Sequence, residues 1–419
     1  MRRRDDNLPS LLLLPFPPDP LCPPTVEAAY RPSIRAALAK LRDPSRQSKL
    51  VVAVACPWLH GPSSPPSSST VSLSWAAAQS LIGRLYGLIS VLASQLAIPT
   101  EFDAGPGSVE STVMLLHHTR ARQVRHRSQP TSIEADDHTV LVDLATFASA
   151  YHPWNYIFKV GSEPGEQLLS DFLSLAGSQQ TLLQEQLVPV DAGLTLHLVR
   201  HEDSPPPAQT EGRPVVCLGG TFDHLHEGHK LLLTAGALLL RIPGRASSSA
   251  PCRFIIGITG HELLQEKKYA DQVQPWDDRA RAVLHFLSTI LTLSAAGWKD
   301  ASSPAIVEED GRFRALFRHG TVEIQCVRIQ DAFGPTITLQ EIHVLVVSAE
   351  TRSGGKAVND RRSQQGWKEL DIFEVDVLDA HDMSDDVTKT ENFAAKISST
   401  AIRKRRAEAI KARVGVELI

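Results

Sequence analysis

The chain reads as an α/β protein whose second half, residues 213–419, forms a doubly wound parallel sheet with helices on both faces. Two observations predict this. From Val215 onward, short apolar runs alternate with helical patterns, which is how a sheet of strand–helix–strand units reads. The first of those runs leads into LGGTFDHLHEGHKLLL (Leu218–Leu233), a turn rich in glycine and histidine that opens a helix. Doubly wound sheets bind ligands at such a place, beyond the carboxyl end of a strand.

Taken in order, residues 1–47 are rich in Pro, Arg and Leu and are expected to form an extended arm. Leu50–Cys56 (LVVAVAC) reads as a buried strand, SSPPSSSTVS as a flexible loop, and Trp75–Leu96 as a largely buried helix. Val113–His117, Thr139–Leu144 and Leu194–Val199 are further strand candidates, and residues 153–187 look partly helical. Residues 48–200 are thus a less defined α/β domain of unknown role. His201–Gly212 (HEDSPPPAQTEG) reads as a linker. Beyond it, strands are expected at Val215–Leu218, Arg253–Ile258, Val322–Ile329, His343–Val347 and Asp371–Leu378. Helices are expected from the histidine turn to about Leu240, over His261–Lys267 and over Asp277–Leu293. Ile242–Pro251 and Ala295–Gly311 read as surface loops.

Composition narrows the function classes. With 42% hydrophobic and 21% charged residues the chain is ordinary for a globular protein. A net charge of −4 gives no reason to expect nucleic acid as a partner. No run of about 18 apolar residues occurs, so no membrane span is expected. Five dispersed cysteines without CxxC or Cys/His spacing indicate neither a disulfide framework nor a structural zinc. A reducing, cytoplasmic location fits that pattern. His117 and His118, followed by Arg120, Arg122, Arg125, His126 and Arg127, read as a solvated loop, with an anion site as the alternative.

The turn at Gly219–His229 has the chemistry of a phosphate cradle. Gly219 and Gly220 allow close backbone approach, and a helix N-terminus offers free N–H groups to an anion. His226 and His229, three apart, share one helix face. A plain structural turn is the competing reading. Near the end of the chain, KISSTAIRKRR (Lys396–Arg406) places Ser398, Ser399 and Thr400 at a second helix start, with Arg403 behind them. Phosphate binding and simple capping are both compatible with that pattern.

GxTFDxxHxGH followed by ISSTxIR resembles the HxGH nucleotidyltransferases. The order of HELLQEKKYADQVQPWDDR, DAFGPT and VVSAETRSGGKAVNDRR between them is similar to the eukaryotic, fungal-type phosphopantetheine adenylyltransferases. The resemblance covers about residues 213–410. It implies transfer of the adenylyl group of ATP to 4′-phosphopantetheine, giving dephospho-CoA and pyrophosphate, a step of coenzyme A biosynthesis. No GxxxxGK[ST] loop of a fused dephospho-CoA kinase is present, so only the one step is expected.

The resemblance also implies roles. His229 would stabilise charge at the α-phosphate, His226 would hold the triphosphate, and Thr221 would orient the attacking phosphate. Gly219, Gly220 and Phe222 complete the ATP turn. Ser398, Ser399 and Thr400 would grip the β- and γ-phosphates, with Arg403 nearby as part of the ATP site and Arg352 a further phosphate ligand. Lys267 or Lys268 would neutralise the phosphate of phosphopantetheine, while Asp223 either orders the turn or touches a ligand. Mg2+ is expected with ATP, and association with other enzymes of the pathway is a further expectation. Another HxGH transferase, or a non-catalytic scaffold keeping the fold, are the alternatives.

Overall fold

The computed structural model describes residues 8–57, 59–60, 72–102, 104–118, 139–150, 153–177, 184–194, 209–244, 249–265, 267–292, 306–309, 311–376 and 398–417. The arm expected over residues 1–47 is a correction: its described part holds a strand at the centre of a sheet and a long helix. Ser10–Leu14 (β1) is buried along its whole length and pairs in parallel with Ser48–Cys56 (β2) on one edge and Ile157–Val160 (β7) on the other. A strand covered on both faces reads as an unbroken apolar run rather than an alternating one. Apart from Pro9, the prolines that suggested an extended arm fall after it. Pro23–Leu41 (α1) begins with proline, where the missing N–H leaves no bond unmade. Val26, Tyr30, Ile34 and Leu38, four apart, form its buried stripe.

The rest of the first half comprises Leu59–His60 (β3), Ser72–Leu73 (β4), Trp75–Gln95 (α2), Val109–His117 (β5), Val142–Asp143 (β6), Leu144–Ala150 (α3), Glu163–Ala176 (α4) and Leu187–Val190 (β8). The sheet runs β6-β5-β2-β1-β7-β8, all parallel. The chain works outward from β1 through β6, then returns to the other edge of β1 with β7. This half is therefore doubly wound as well, with its reversal between β1 and β7.

Several boundaries differ from expectation. The strand expected over Thr139–Leu144 shrinks to β6 before α3 takes over. The edge strand is β8; of the Leu194–Val199 candidate, only Leu194 is described, and it is not in a strand. Residues 201–208 of the expected linker lie outside the described residues. Thr210–Glu211 (β9) is not free linker: it pairs antiparallel with β4, which pairs with β3. The serine-rich stretch at 63–71 and the arginines of residues 120–127 lie outside the described residues.

In the second half, Val215–Gly220 (β10), Cys252–Thr259 (β11), Val322–Ile329 (β14), Val344–Ser348 (β15) and Asp371–Val375 (β16) form the parallel part of a sheet. Val307–Glu309 (β12) and Arg312–Phe317 (β13) form a hairpin antiparallel to β14. The end of the expected Ala295–Gly311 loop is thus strand. Helices are Glu227–Ala237 (α5), Trp276–Leu291 (α6), Arg352–Gln364 (α7) and Ser399–Glu417 (α8). Among its described residues, His261–Lys267 holds a short turn of 3-10 helix at His261–Leu263 and no α-helix. The order β12-β13-β14-β11-β10-β15-β16 reverses between β10 and β15, so β10 delivers its turn to the crevice where this fold takes ligands.

One hydrophobic core runs through both sheets, and a smaller one lies within the second half alone. Helix α2 joins the sheets. By length and composition it could cross a membrane, contrary to the sequence expectation, yet 61% of that window is buried inside the protein. It packs on α1, β5 and α5, which is why apolar residues surround it on most sides. The Trp75 indole donates to the Ala235 carbonyl at 2.9 Å, and Arg318 donates to the carbonyls of Thr139 and Val140 at 2.7 and 2.9 Å.

Candidate functional site

Strand β10 ends on Gly219 and Gly220, and the chain then turns through Phe222 (φ 52°) and His224 (φ 46°), both left-handed. Such backbone costs a non-glycine residue of order 1 kcal/mol or more and persists where the surroundings impose it. Here they do. A Cβ on Gly220 would lie 2.9 Å from the Phe222 ring. Gly220 is thus needed for packing inside the turn, and Gly219 meets no such limit. Phe222, expected among the ATP residues, has a fully buried side chain with its ring centroid 5.3 Å from that of His229. It supports the histidine and presents no side-chain surface to a ligand.

The buried carboxylate of Asp223 fastens the turn. Its Oδ1 accepts from the Gln274 amide at 2.9 Å, and its Oδ2 accepts from Arg403 Nη1 at 2.7 Å. His224 is structural too: its amide donates to Gln274 Oε1 at 2.7 Å and its ring Nε2 lies 3.0 Å from the Gln272 carbonyl. Arg279, almost wholly buried, gathers strand-end carbonyls, donating to Thr221 at 2.7 Å, Thr259 at 2.9 Å and Gln274 at 3.0 Å. Two strand ends and the following loop are thereby locked together.

Helix α5 starts from His226, whose side chain does not cap it, so the first-turn N–H groups keep their capacity for an anion. The rings of His226 and His229 stack, centroids 3.9 Å apart and 24° from parallel. Burial, then the charge of Lys230, pulls the His226 pKa down to about 3. Burial likewise holds His229 well below the usual value, with His226 adding to the effect. Both imidazoles are neutral at neutral pH, and the Nδ1 atom of each is buried without a hydrogen-bond partner among the described residues.

The start of α8 closes the site. Ser399 Oγ donates to the Asp223 carbonyl at 2.9 Å and lies 3.3 Å from His226 Nε2. The two motifs, far apart in sequence, meet at one point. Ser398 Oγ accepts from the Ala401 amide at 3.3 Å as a helix cap, and Thr400 accepts from Arg403 Nη2 at 3.1 Å. Arg403 itself is a correction: only 2% exposed and bound to Asp223, it is a brace rather than an open phosphate ligand. Its Nε donates to the Lys268 carbonyl at 3.1 Å, which ties the lysine loop to α8. The Lys267 and Lys268 side chains are exposed there. Arg352 opens α7 beyond β15, exposed and ion-paired to Glu374.

Sequence reasoning missed the hold that the first half has on this site. The Phe102 amide donates to the Leu225 carbonyl at 2.8 Å. Lys230, fully buried, donates to the carbonyls of Thr100 at 3.3 Å and Ser111 at 3.0 Å and sits 3.6 Å from the Glu227 carboxylate. Glu101 meets Arg405 of α8 at 3.2 Å. Residues 100–102 therefore touch the turn, α5 and α8. The available signal was Lys230 itself, a lone charge entering the apolar LLL of α5.

Residues 1–196 match a family described as a domain of unknown function (DUF8446). Over 190 residues, 45% of this chain and 48% of the relative, the chain is 33% identical to a phosphopantetheine adenylyltransferase of Saccharomyces cerevisiae. An uncharacterised protein of Schizosaccharomyces pombe is 32% identical over 51% of this chain and 54% of its own length. A phosphopantetheine adenylyltransferase of Pyrococcus horikoshii is 27% identical over 45% of this chain and 87% of its own. The chain spans about half the length of the fungal relatives it matches.

Proposed function

We propose that the site built on β10, α5 and α8 transfers the adenylyl group of ATP to 4′-phosphopantetheine, releasing pyrophosphate and forming dephospho-CoA. The carrying observation is the convergence of Ser399 on His226 at 3.3 Å, beside the stacked His226–His229 pair at the winding reversal. The names of the curated relatives support the choice of substrates. In this reading the HxGH segment is His226–His229, and residues 213–419 make up the transferase domain.

The chemistry needs no base from the protein. A phosphate monoester has a second pKa of about 6 and is already largely dianionic at neutral pH. An imidazole with its pKa near 3 is a poor proton acceptor and serves as an N–H donor. Catalysis is then positioning of the two phosphates and stabilisation of the charge that builds at the α-phosphate. His229 stabilises the α-phosphate, His226 and Ser399 hold the triphosphate, and the α5 amides complete the cradle. Thr221, its carbonyl fixed by Arg279, orients the attacking phosphate, and Lys267 or Lys268 balances its charge. Imidazoles, hydroxyls and amides suit an anion, and the Asp223 oxygens are already engaged. Magnesium in this reading travels on the nucleotide phosphates.

The test is purified full-length chain with ATP and 4′-phosphopantetheine, scored for dephospho-CoA and pyrophosphate, with CTP and nicotinamide mononucleotide as comparison substrates. Product from the first pair alone is expected. Product only from a comparison substrate would move the site to another nucleotidyl transfer, and none from any would favour a scaffold.

A further inference from the structure

We propose that the first half binds a small planar base bearing amino groups, neutral or cationic and without phosphate, in the crevice where its own sheet reverses. A pocket of about 290 Å3 opens beyond the carboxyl ends of β1, β2 and β5, against α4. Its position is the one that open α/β sheets use for ligands, and its volume is close to the lower bound of small-molecule sites, about 300 Å3.

The lining sets the chemistry. On one side the Phe16 ring stacks on His118, centroids 5.9 Å apart and 21° from parallel, offering a face for a flat ligand. Beside it, Glu163, Gln167 and Asp171 recur every four residues along α4; Gln167 Nε2 donates to Asp171 Oδ1 at 2.9 Å, which leaves the Glu163 carboxylate and the Gln167 amide oxygen as the acceptors facing a ligand. Asp171 Oδ2 lies 3.6 Å from His118 Nε2, which orients the imidazole. His118 is held in place by its amide, which donates to the Cys56 carbonyl at 3.1 Å. The histidine that read from sequence as part of a solvated loop is therefore set into a pocket wall.

The described start of α4 offers few donors to an anion. No lysine or arginine is among the described lining residues. The first turn of α4 carries Glu163 and Glu166, Pro164 has no N–H, and Ser162 Oγ already accepts from the Gly165 amide. A ligand rich in N–H groups matches these acceptors, and a flat one matches the aromatic wall.

Calorimetric titration of the full chain with adenine, cytosine and benzamidine, each with and without saturating ATP, tests this. At least one probe is expected to bind once per chain and to resist displacement by ATP. Phe16→Ala should weaken it about tenfold or more, the scale of a lost base–aromatic stack. Asp171→Asn, at a partly open position, should also weaken it with an unchanged melting temperature. Lack of saturable binding, displacement by ATP, or affinity unchanged in both variants would overturn the proposal. So would inorganic phosphate binding that Phe16→Ala removes.

Discussion

The two sheets of this chain wind alike and finish differently. Each grows outward from a central strand, returns to that strand's other edge, and opens a crevice at the reversal. At the second crevice stand neutral imidazoles, a serine hydroxyl and an uncapped helix start. At the first stand two carboxylates and a helix start where Pro164 lacks an N–H and the Gly165 and Glu166 amides are bound to Ser162. The winding fixes where a ligand goes; the side chains at the strand ends decide which charge is welcome.

The largest effect expected comes from cutting the link between the halves. Lys230→Met leaves Glu227 buried without its cation, and loss of one partner of a buried pair costs about 3–5 kcal/mol. The urea midpoint should fall accordingly, and Glu227→Gln added to it should restore much of the loss. A single variant as stable as the parent would show that the halves merely touch.

Next comes the second crevice, the site of the proposed transfer. His229→Ala should lower turnover by about a hundredfold or more, the scale of one lost transition-state donor, with a smaller effect on ATP binding. Near-normal turnover would remove His229 from the proposed role.

Acid should then weaken the second crevice. His224, His226 and His229 have folded pKa values below the usual figure of about 6.5, burial being the leading cause in each. The unfolded chain binds more protons, so the stability is fully present above about pH 6.5 and is lost as pH falls below it. By pH 5 the loss is at most about 2 kcal/mol per imidazole. Bound ATP should lessen it, because phosphate raises the imidazole pKa values. Melting curves at pH 7.5 and 5.0, with and without ATP, check the sign, and His226→Asn should flatten the nucleotide-free slope.

The smallest effect belongs to the first crevice. Asp171→Asn breaks a partly exposed pair and should change stability by less than about 1 kcal/mol. Turnover with ATP and phosphopantetheine should not move. A marked fall would mean that the two crevices communicate.

Where apolar runs were long or alternation was plain, the sequence was readable: β10, β11, β14 and α2 lie close to their expected bounds. SLLLL was obscured by the prolines after it, although four consecutive leucines suit a strand covered on both faces. RFRALF alternates exposed and buried residues in β13, a period-two signal adjacent to an insert that read as loop. At the site, two helix starts of similar chemistry were legible, while the meeting of Ser399 with His226 comes from the fold. The pairing of Arg403 with Asp223 was not, since the two lie 180 residues apart and an arginine behind a hydroxyl run looks like a phosphate ligand. Residues 100–102 carry no motif; backbone groups make two of their three links to the site.

Helix α2 bears one further consequence. Because it faces β5 on one side and α5 on the other, the larger of the two cores is built from both halves. A chain severed between the sheets would leave a broad greasy face on each fragment, prone to association. Heat should therefore melt the whole in one cooperative step, and the two crevices should be gained and lost together, even though each belongs to its own sheet.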